Sequence, residues 1–306
     1  MKFTKPLQDS DEDVVHVYQW DASPHSLFYS LCTGAIKINA KVRQYNFNIL
    51  KRLRVHSGYF LFHINLTKTA YFFKNKEALV TRLRERNIVP LNYQVNDTSK
   101  KHLQALCRHI GLNSTLAPVA GDENELLIVK TNFNYGGKAE KRLLSSQSRR
   151  LNVQSLNYNT EIIYPVLERK KIKYEDWNNE NLIIEKFIAN KSNHIYRVYK
   201  LLNRIVISEV IENNLIKKLR VVTQRTNYFI NLNNNDTLSG NNLKFHDLLA
   251  DIIRLSNAMH LDFAAIDVVK CDEDKYHIID VNLTPNWNRD DYPELLNFLA
   301  AALCRR

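Results

Sequence analysis

Cysteine is scarce in this sequence of 306 residues, and the few cysteines are scattered. They form no CxxC pair and show no spacing typical of metal ligands: Cys32, Cys107, Cys271 and Cys304. The scarcity argues against a structural zinc site and against a disulfide framework. A reducing compartment, and hence a cytoplasmic location, is the expectation that remains.

Long apolar runs are absent as well. No stretch approaches the roughly 18–20 consecutive apolar residues that cross a bilayer as a helix, so we expect no transmembrane segment. Residues 1–13 turn acidic where a signal peptide would become apolar. This pattern argues against export.

Glycine and proline occur only seven times each. So little glycine is unusual for an enzyme that handles phosphates, and asparagine, which tolerates left-handed backbone, occupies many of the turns instead. Residues 231–242 (NLNNNDTLSGNN) are predicted to form a surface loop. The chain exceeds the usual size of a single core, so two or three packed subdomains are expected.

Positive charge is in excess, with 43 lysine and arginine against 32 aspartate and glutamate, a net charge of +11. Such an excess suits a nucleic-acid partner, a polyanionic substrate or a membrane surface, and equally a lysine-rich solvated exterior. The basic clusters lack the interleaved aromatic residues that are typical of an RNA-recognition module. Nucleic acid therefore stays open as a partner without being favoured.

Hydrophobic periodicity predicts alternating helices and strands, followed by a strand-rich second half. Helices are predicted at residues 76–86, 100–110, 245–260 and 291–303. Strands are predicted at residues 14–18, 57–65, 126–131, 182–188, 195–202, 204–212, 263–271 and 276–282, with a short strand-like run at 88–90 that Pro90 ends. This order indicates an α/β protein with more than one sheet.

The first pattern with chemical meaning is the apolar strand Leu126–Thr131, which ends in Lys130 and Thr131. Such a strand holds the lysine ammonium rigidly at the edge of a cleft. The loop that follows contains Tyr135, Gly136 and Gly137, and its backbone N–H groups can approach phosphate oxygens closely. An exposed lysine followed by an ordinary glycine turn would have the same sequence. This pattern therefore indicates a phosphate site only in combination with the patterns on the later strands.

Two further patterns lie on later strands. One strand end could hydrogen-bond an adenine amino group and a ribose hydroxyl, through the residues Glu185, Lys186, Phe187 and Ile188. On the next strand, alternation places Arg197 and Tyr199 on one face, where Arg197 can clamp a phosphate with two parallel hydrogen bonds. Lys218 could add a point charge beside the same phosphate. A strand face exposed to solvent would explain a lysine at this position equally well.

The most specific pattern is a predicted hairpin that carries Asp267 on one strand and Asp280 and Asn282 on the other. A buried carboxylate is costly unless a cation accompanies it. Three hard oxygen ligands beside phosphates are what Mg²⁺ takes, with water completing the octahedron. The hairpin therefore predicts a magnesium site, and two solvated strand-end aspartates are the alternative.

In this order the segments resemble the ATP-grasp superfamily. That family usually shows a VKP strand, a glycine-rich loop, an EFI-like hinge strand, an arginine strand and a GID…EVN…P metal hairpin. The chain has VKT at 129–131, GG at 136–137, EKFI at 185–188, Arg197, AID at 265–267 and DVN at 280–282. Residues 99–101 (SKK) resemble the helix start at which the family often places an ATP-contacting lysine, which implies Lys101.

Three residues depart from the family pattern. Thr131 replaces proline and Ala265 replaces glycine, and both changes are tolerable. Asp280 replaces the usual glutamate, which shortens the ligand arm by one methylene and disfavours the bridging of two ions. Together with the glycine-poor loop, these departures leave a reduced or altered activity open.

The resemblance implies an ATP-grasp fold that holds the nucleotide between two α+β subdomains, residues 96–185 and 186–306, preceded by a smaller N-terminal α/β domain, residues 1–95. It implies ATP and Mg²⁺ as cofactors, and a ligase that activates a carboxylate as an acyl phosphate for an amine or thiol, releasing ADP and phosphate. The expected substrate is an anionic or carboxylate-bearing small molecule, peptide or carrier-bound group. A kinase that phosphorylates a hydroxyl, or a non-catalytic nucleotide- or polyanion-binding protein, stays an alternative.

Overall fold

The computed structural model describes residues 15–19, 43–45, 58–69, 76–141, 164–212, 224–233, 240–286 and 292–303. The strands are β1 Val15–Gln19, β2 Arg43–Tyr45, β3 Gly58–His63, β4 Ile88–Leu91, β5 Leu126–Thr131, β6 Val166–Glu168, β7 Leu182–Lys186, β8 His194–Leu201, β9 Arg204–Ile211, β10 Gln224–Asn231, β11 Phe263–Lys270 and β12 Tyr276–Asn282. The helices are α1 Lys76–Arg84, α2 Lys100–His109, α3 Lys138–Lys141, α4 Tyr174–Trp177, α5 His246–Met259 and α6 Pro293–Ala300. Across these described ranges, no helix combines the length and the apolar character that a membrane crossing needs.

The first four strands form a parallel sheet in the order β2-β1-β3-β4. Helix α1 buries Leu79, Val80 and Leu83. Strand β4 continues through Pro90 to Leu91, so the prediction that Pro90 ends this strand was wrong. The strand lies at the edge of the sheet, where the missing N–H of a proline can face away from the ladder.

Strands β5, β6 and β7 form a second, antiparallel sheet in the order β6-β5-β7. Its apolar core includes Leu127, Val129 and Ile184. The sheet places β5, which carries Lys130, beside β7, which carries Glu185. Two of the sequence patterns thus lie on neighbouring strands.

The third sheet is antiparallel and has the order β10-β9-β8-β11-β12. Helix α5 packs on one face, over a core that includes Val198, Ile207 and Ile266. Helix α6 covers one end of the other face, where Leu295 and Leu299 meet apolar residues of β8 and β11. The middle of that second face carries polar side chains, and beyond them lies a smaller apolar cluster of Ile195, Val210 and Val269.

Strand β10 was not predicted, because its letters (QRTNYFIN) lack a clear apolar alternation. It lies at the edge of the sheet, and most of its side chains are only partly buried. The predicted surface loop at 231–242 overlaps the last residue of β10 and the start of a 3₁₀ turn at Gly240–Phe245. The mixed helices and strands in several sheets confirm the predicted fold class, whereas the domain boundaries stay predictions.

Asn92, the residue after β4, joins the N-terminal sheet to β11. Its side-chain oxygen accepts hydrogen bonds from the backbone N–H groups of Asp262 (2.8 Å) and Phe263 (3.0 Å). Its amide nitrogen donates to the carbonyl of Phe263 at 2.7 Å. Asn92 is 2% exposed and has a φ of 56°, in the left-handed region that asparagine tolerates. The Asn92 side chain thus connects the N-terminal sheet to the five-stranded sheet.

We expect Asn92→Ala to lower the free energy of unfolding by about 2–3 kcal/mol, because it leaves three backbone groups, two of them buried, without their partner and strains alanine at a positive φ. Urea denaturation measures the change. Asn87→Ala is the matched control, since Asn87 has the same φ of 56° but is exposed. Equal losses in the two variants would show that only the backbone strain matters.

Candidate nucleotide and metal site

A row of polar residues crosses the five-stranded sheet on the face opposite α5. Cross-strand register places Ser208 between Asn227 and Arg197. It places Asp267 between Arg197 and Asp280. Alternation turns these side chains away from the apolar core under α5. Three predicted site residues, Arg197, Asp267 and Asp280, therefore lie side by side on adjacent strands.

Each carboxylate of the row faces a cation of the protein. Asp267 Oδ1 lies 3.5 Å from Arg197 Nη1, and Asp280 Oδ1 lies 3.2 Å from Lys100 Nζ. Both oxygens are buried and receive no hydrogen bond from the residues that the structure describes. Burial raises the pKa of Asp267, although the Arg197 guanidinium acts to lower it. Each carboxylate thus has one oxygen beside a cation of the protein, and its other oxygen can bind a metal ion.

Asn282 lies two residues beyond Asp280 and so on the same face of β12. Its Nδ2 donates to the Tyr135 hydroxyl at 2.5 Å, and its Oδ1 accepts from the backbone N–H of Thr284 at 2.9 Å. A carbonyl oxygen has a second lone pair for a cation. No group of three or more His, Cys, Asp and Glu suited to a metal occurs in the described ranges. The Asn282 amide would thus be the third protein ligand, and the set fits Mg²⁺.

The glycine loop lies against this hairpin. It forms a 3₁₀ turn at Asn134–Gly137, in which Tyr135, Gly136 and Gly137 have positive φ values of 49°, 66° and 71°. Asn134 Nδ2 donates to the carbonyl of Val281 at 3.2 Å. Together with the contact between Tyr135 and Asn282, this bond closes the turn over β12. The predicted contact of the turn with phosphates stays a prediction.

Lys130 and Glu185 form a buried ion pair across β5 and β7. Lys130 Nζ lies 2.7 Å from Glu185 Oε2, and the Glu185 side chain is 0% exposed. The other carboxylate oxygen accepts the hydroxyl hydrogen of Thr115. Glu185 thus fixes the position of Lys130. A direct contact of Glu185 with a nucleotide stays a prediction, and both its oxygens already have partners.

The chain leaves β7 through Lys186, Phe187 and Ile188, the predicted adenine-binding hinge. The backbone N–H of Lys186 donates to Thr115 O at 2.7 Å, and that of Phe187 donates to Leu126 O at 3.0 Å. Ile188 packs beside an apolar cluster of the five-stranded sheet. The segment therefore links the second sheet to the third. Its adenine contacts stay a prediction.

Comparison with known proteins finds no matching family model and no matching curated protein. Solved structures do match. The ATP-grasp ligase PsnB in complex with a minimal precursor superposes with a TM-score of 0.52 at 11% identity, covering 96% of this chain and 99% of that one. PsnB with a phosphomimetic variant of the precursor, Mg and ADP gives a TM-score of 0.51 at 11% identity, with coverages of 96% and 98%. The chain has the ATP-grasp fold. The VanG D-Ala:D-Ser ligase from Enterococcus faecalis is also similar, with a TM-score of 0.47 at 8% identity and coverages of 96% and 98%.

Within this ATP-grasp fold, the structure separates two neighbouring lysines at the start of α2. Lys101, the predicted ATP contact, donates from Nζ to the carbonyl of Asn179 at 2.9 Å. Lys100, which the sequence patterns did not single out, faces Asp280 instead. Lys218 lies outside the described residues. Sequence reasoning also missed Thr115, whose hydroxyl bonds the carboxylate of Glu185, 70 residues further along the chain. No signal in the sequence marks either missed residue, beyond the position of Lys100 in the SKK run.

Proposed function

We propose that the protein is a ligase that uses ATP and Mg²⁺ to activate a carboxylate as an acyl phosphate, and then joins the acyl group to an amine or a thiol. The observation that carries the proposal is the row of Arg197, Asp267 and Asp280, which lies beneath the glycine turn on an ATP-grasp fold. PsnB, which shares this fold, is an ATP-grasp ligase.

In this proposal Asp267, Asp280 and Asn282 would hold the metal. Bound Mg²⁺ would supply positive charge that neutralises the phosphates during transfer. Lys130, held in place by Glu185, would bind phosphate oxygens as a fixed point charge. Such chemistry needs no covalent nucleophile, because positioning and charge neutralisation carry most of it.

Four further assignments belong to the proposal. Arg197 would orient the transferred phosphoryl group, and Lys218 would add a second cation. Lys101 would contribute a more distant contact with ATP. The glycine turn at Asn134–Gly137 would bring backbone N–H groups to the phosphates after it moves away from β12.

We propose a carboxylate-bearing peptide as the substrate class. PsnB has been solved with a precursor, and the net charge of +11 on this chain favours an anionic partner. An acidic small molecule or a carrier-bound carboxylate satisfies the same chemistry. All three classes place a carboxylate oxygen next to the γ-phosphate.

The test of the reaction class is to incubate the protein with ATP, Mg²⁺ and a panel of carboxylates, and to analyse the products with and without hydroxylamine. We expect ADP and phosphate, and a hydroxamate of one of the carboxylates, since hydroxylamine traps an acyl phosphate. A stable phosphate ester on a hydroxyl would instead identify a kinase. Formation of AMP would contradict both the ligase and the kinase assignments.

A further inference from the structure

A buried lysine, Lys100, lies against the metal-ligand strand β12. Its Nζ is 3.2 Å from Asp280 Oδ1 and 3.4 Å from Asn134 Oδ1. Its backbone N–H donates to the carbonyl of Asn132 at 3.1 Å. The residue opens helix α2, and its side chain is only 5% exposed. Both ends of Lys100 are therefore fixed, and the ammonium cannot move far without breaking buried contacts.

The ammonium changes which carboxylate oxygens are open to a metal. Lys100 faces Oδ1 of Asp280, as Arg197 faces Oδ1 of Asp267. A divalent ion on either of these oxygens would lie beside a cation of the protein, whose like charge opposes it. Three oxygens are left to bind a metal: Oδ2 of Asp267, Oδ2 of Asp280 and the amide oxygen of Asn282.

Three protein oxygens are enough for one magnesium ion. Mg²⁺ takes about six oxygens in octahedral geometry, and phosphates and water supply those that the protein does not. In sites with two metals, the ions lie about 3.5–4 Å apart, and a carboxylate that bridges them with one oxygen on each ion uses both of its oxygens. Asp280 could bridge in this way only if its Oδ1 left Lys100. The short aspartate arm makes such a rearrangement harder still.

We propose that Lys100 takes the place of a second Mg²⁺ at Asp280, so that the protein binds ATP with a single Mg²⁺. The inference rests on the proposed function, because it presumes an ATP site between the glycine turn and the hairpin. Lys100 is then a positioning residue: it holds Asp280 in one orientation and supplies a permanent positive charge beside it.

The test counts metal ions directly and does not measure turnover. The protein is mixed with Mn²⁺ and a non-hydrolysable ATP analogue and separated by rapid ultrafiltration. The manganese and the nucleotide retained with the protein are then measured. We expect a ratio of about one Mn²⁺ per nucleotide for the wild type and about two for Lys100→Met, in which Asp280 becomes free to bridge. Lys100→Gln is a second neutral variant in case the first does not fold.

Lys200→Met is the matched control, because Lys200 is buried as Lys100 is, but its ammonium bonds the carbonyl of Leu261 and no carboxylate of the polar row. It should keep the wild-type metal ratio. A ratio of about two in the wild type, or of about one in a folded neutral variant of Lys100, would refute the inference and leave the proposed function standing. A wild type that retains no nucleotide would refute both.

Discussion

Asp280→Asn should lower turnover by about a hundredfold or more on a substrate found by hydroxamate trapping, which is the size of effect seen when one electrostatic stabiliser is lost elsewhere. Asp280 lies beside Asp267 in the polar row. The substitution keeps the size and one oxygen of the side chain but removes the negative charge that would hold Mg²⁺. The affinity for ATP should fall less than turnover does, because Lys130 and the glycine turn are unchanged. Steady-state kinetics and nucleotide binding separate the two effects.

The control for this variant is Asp274→Asn, the same substitution in the turn of the same hairpin. Asp274 is exposed and pairs with Lys270 at 2.7 Å, away from the polar row. Its φ of 62° suits asparagine as well as aspartate, so turnover and folding should both be retained. Near-normal turnover in a folded Asp280→Asn protein would contradict the assignment of Asp280 as a metal ligand.

The sequence predicted the site best where the relevant pattern is local. Alternation along single strands was enough to place Asp280 with Asn282 on one face, and the structure confirms that both lie on β12. The pairing of Asp267 with Asp280 follows from a hairpin, whose strands are neighbours in the chain. Arg197 is the third member of the row, and its position beside Asp267 depends on the order of the strands in the sheet.

Lys100 was missed for a different reason. Consecutive residues in a helix differ in direction by about 100°, so the choice between Lys100 and Lys101 depends on how α2 is rotated against β12. Gln104 and Asn113 of this part of the chain bond the carbonyls of Ile278 and Tyr276, and they fix that rotation through contacts between distant residues. The letters SKK carry no information on these contacts.

Strand β10 was missed because it is an edge strand with one weakly buried face. Its Arg225 and Asn227 look like loop residues in isolation, but register places Asn227 at the end of the polar row. Ser208 donates to Asn227 Oδ1 at 2.6 Å, so the unpredicted strand completes a face that the predicted strands begin. Apolar periodicity cannot predict a strand such as β10, because most of its residues are polar and only partly buried.

Glu185→Gln should lower the free energy of unfolding by about 3–5 kcal/mol, the usual effect of removing one partner from a buried ion pair. Glu185 is fully buried, and the Lys130 side chain is 11% exposed. The substitution leaves the ammonium with no carboxylate at ion-pair distance among the residues that the structure describes. Lys130 would then lose its fixed position, so nucleotide affinity should fall together with stability. Chemical denaturation and equilibrium binding measure the two losses.

Two further variants show whether the charge itself is responsible. Glu168→Gln removes a carboxylate from β6 of the same sheet, but its ion pairs with Lys170 and Lys171 are largely solvated, so stability should not change measurably. The double variant Lys130→Met with Glu185→Gln removes both charges and should recover much of the stability lost in Glu185→Gln alone, because no unpaired charge stays buried. Its nucleotide affinity should stay low, since the phosphate contact is gone. A double variant as unstable as the sum of the two single variants would mean that packing around Glu185 and Thr115, and not the ion pair, holds this strand in place.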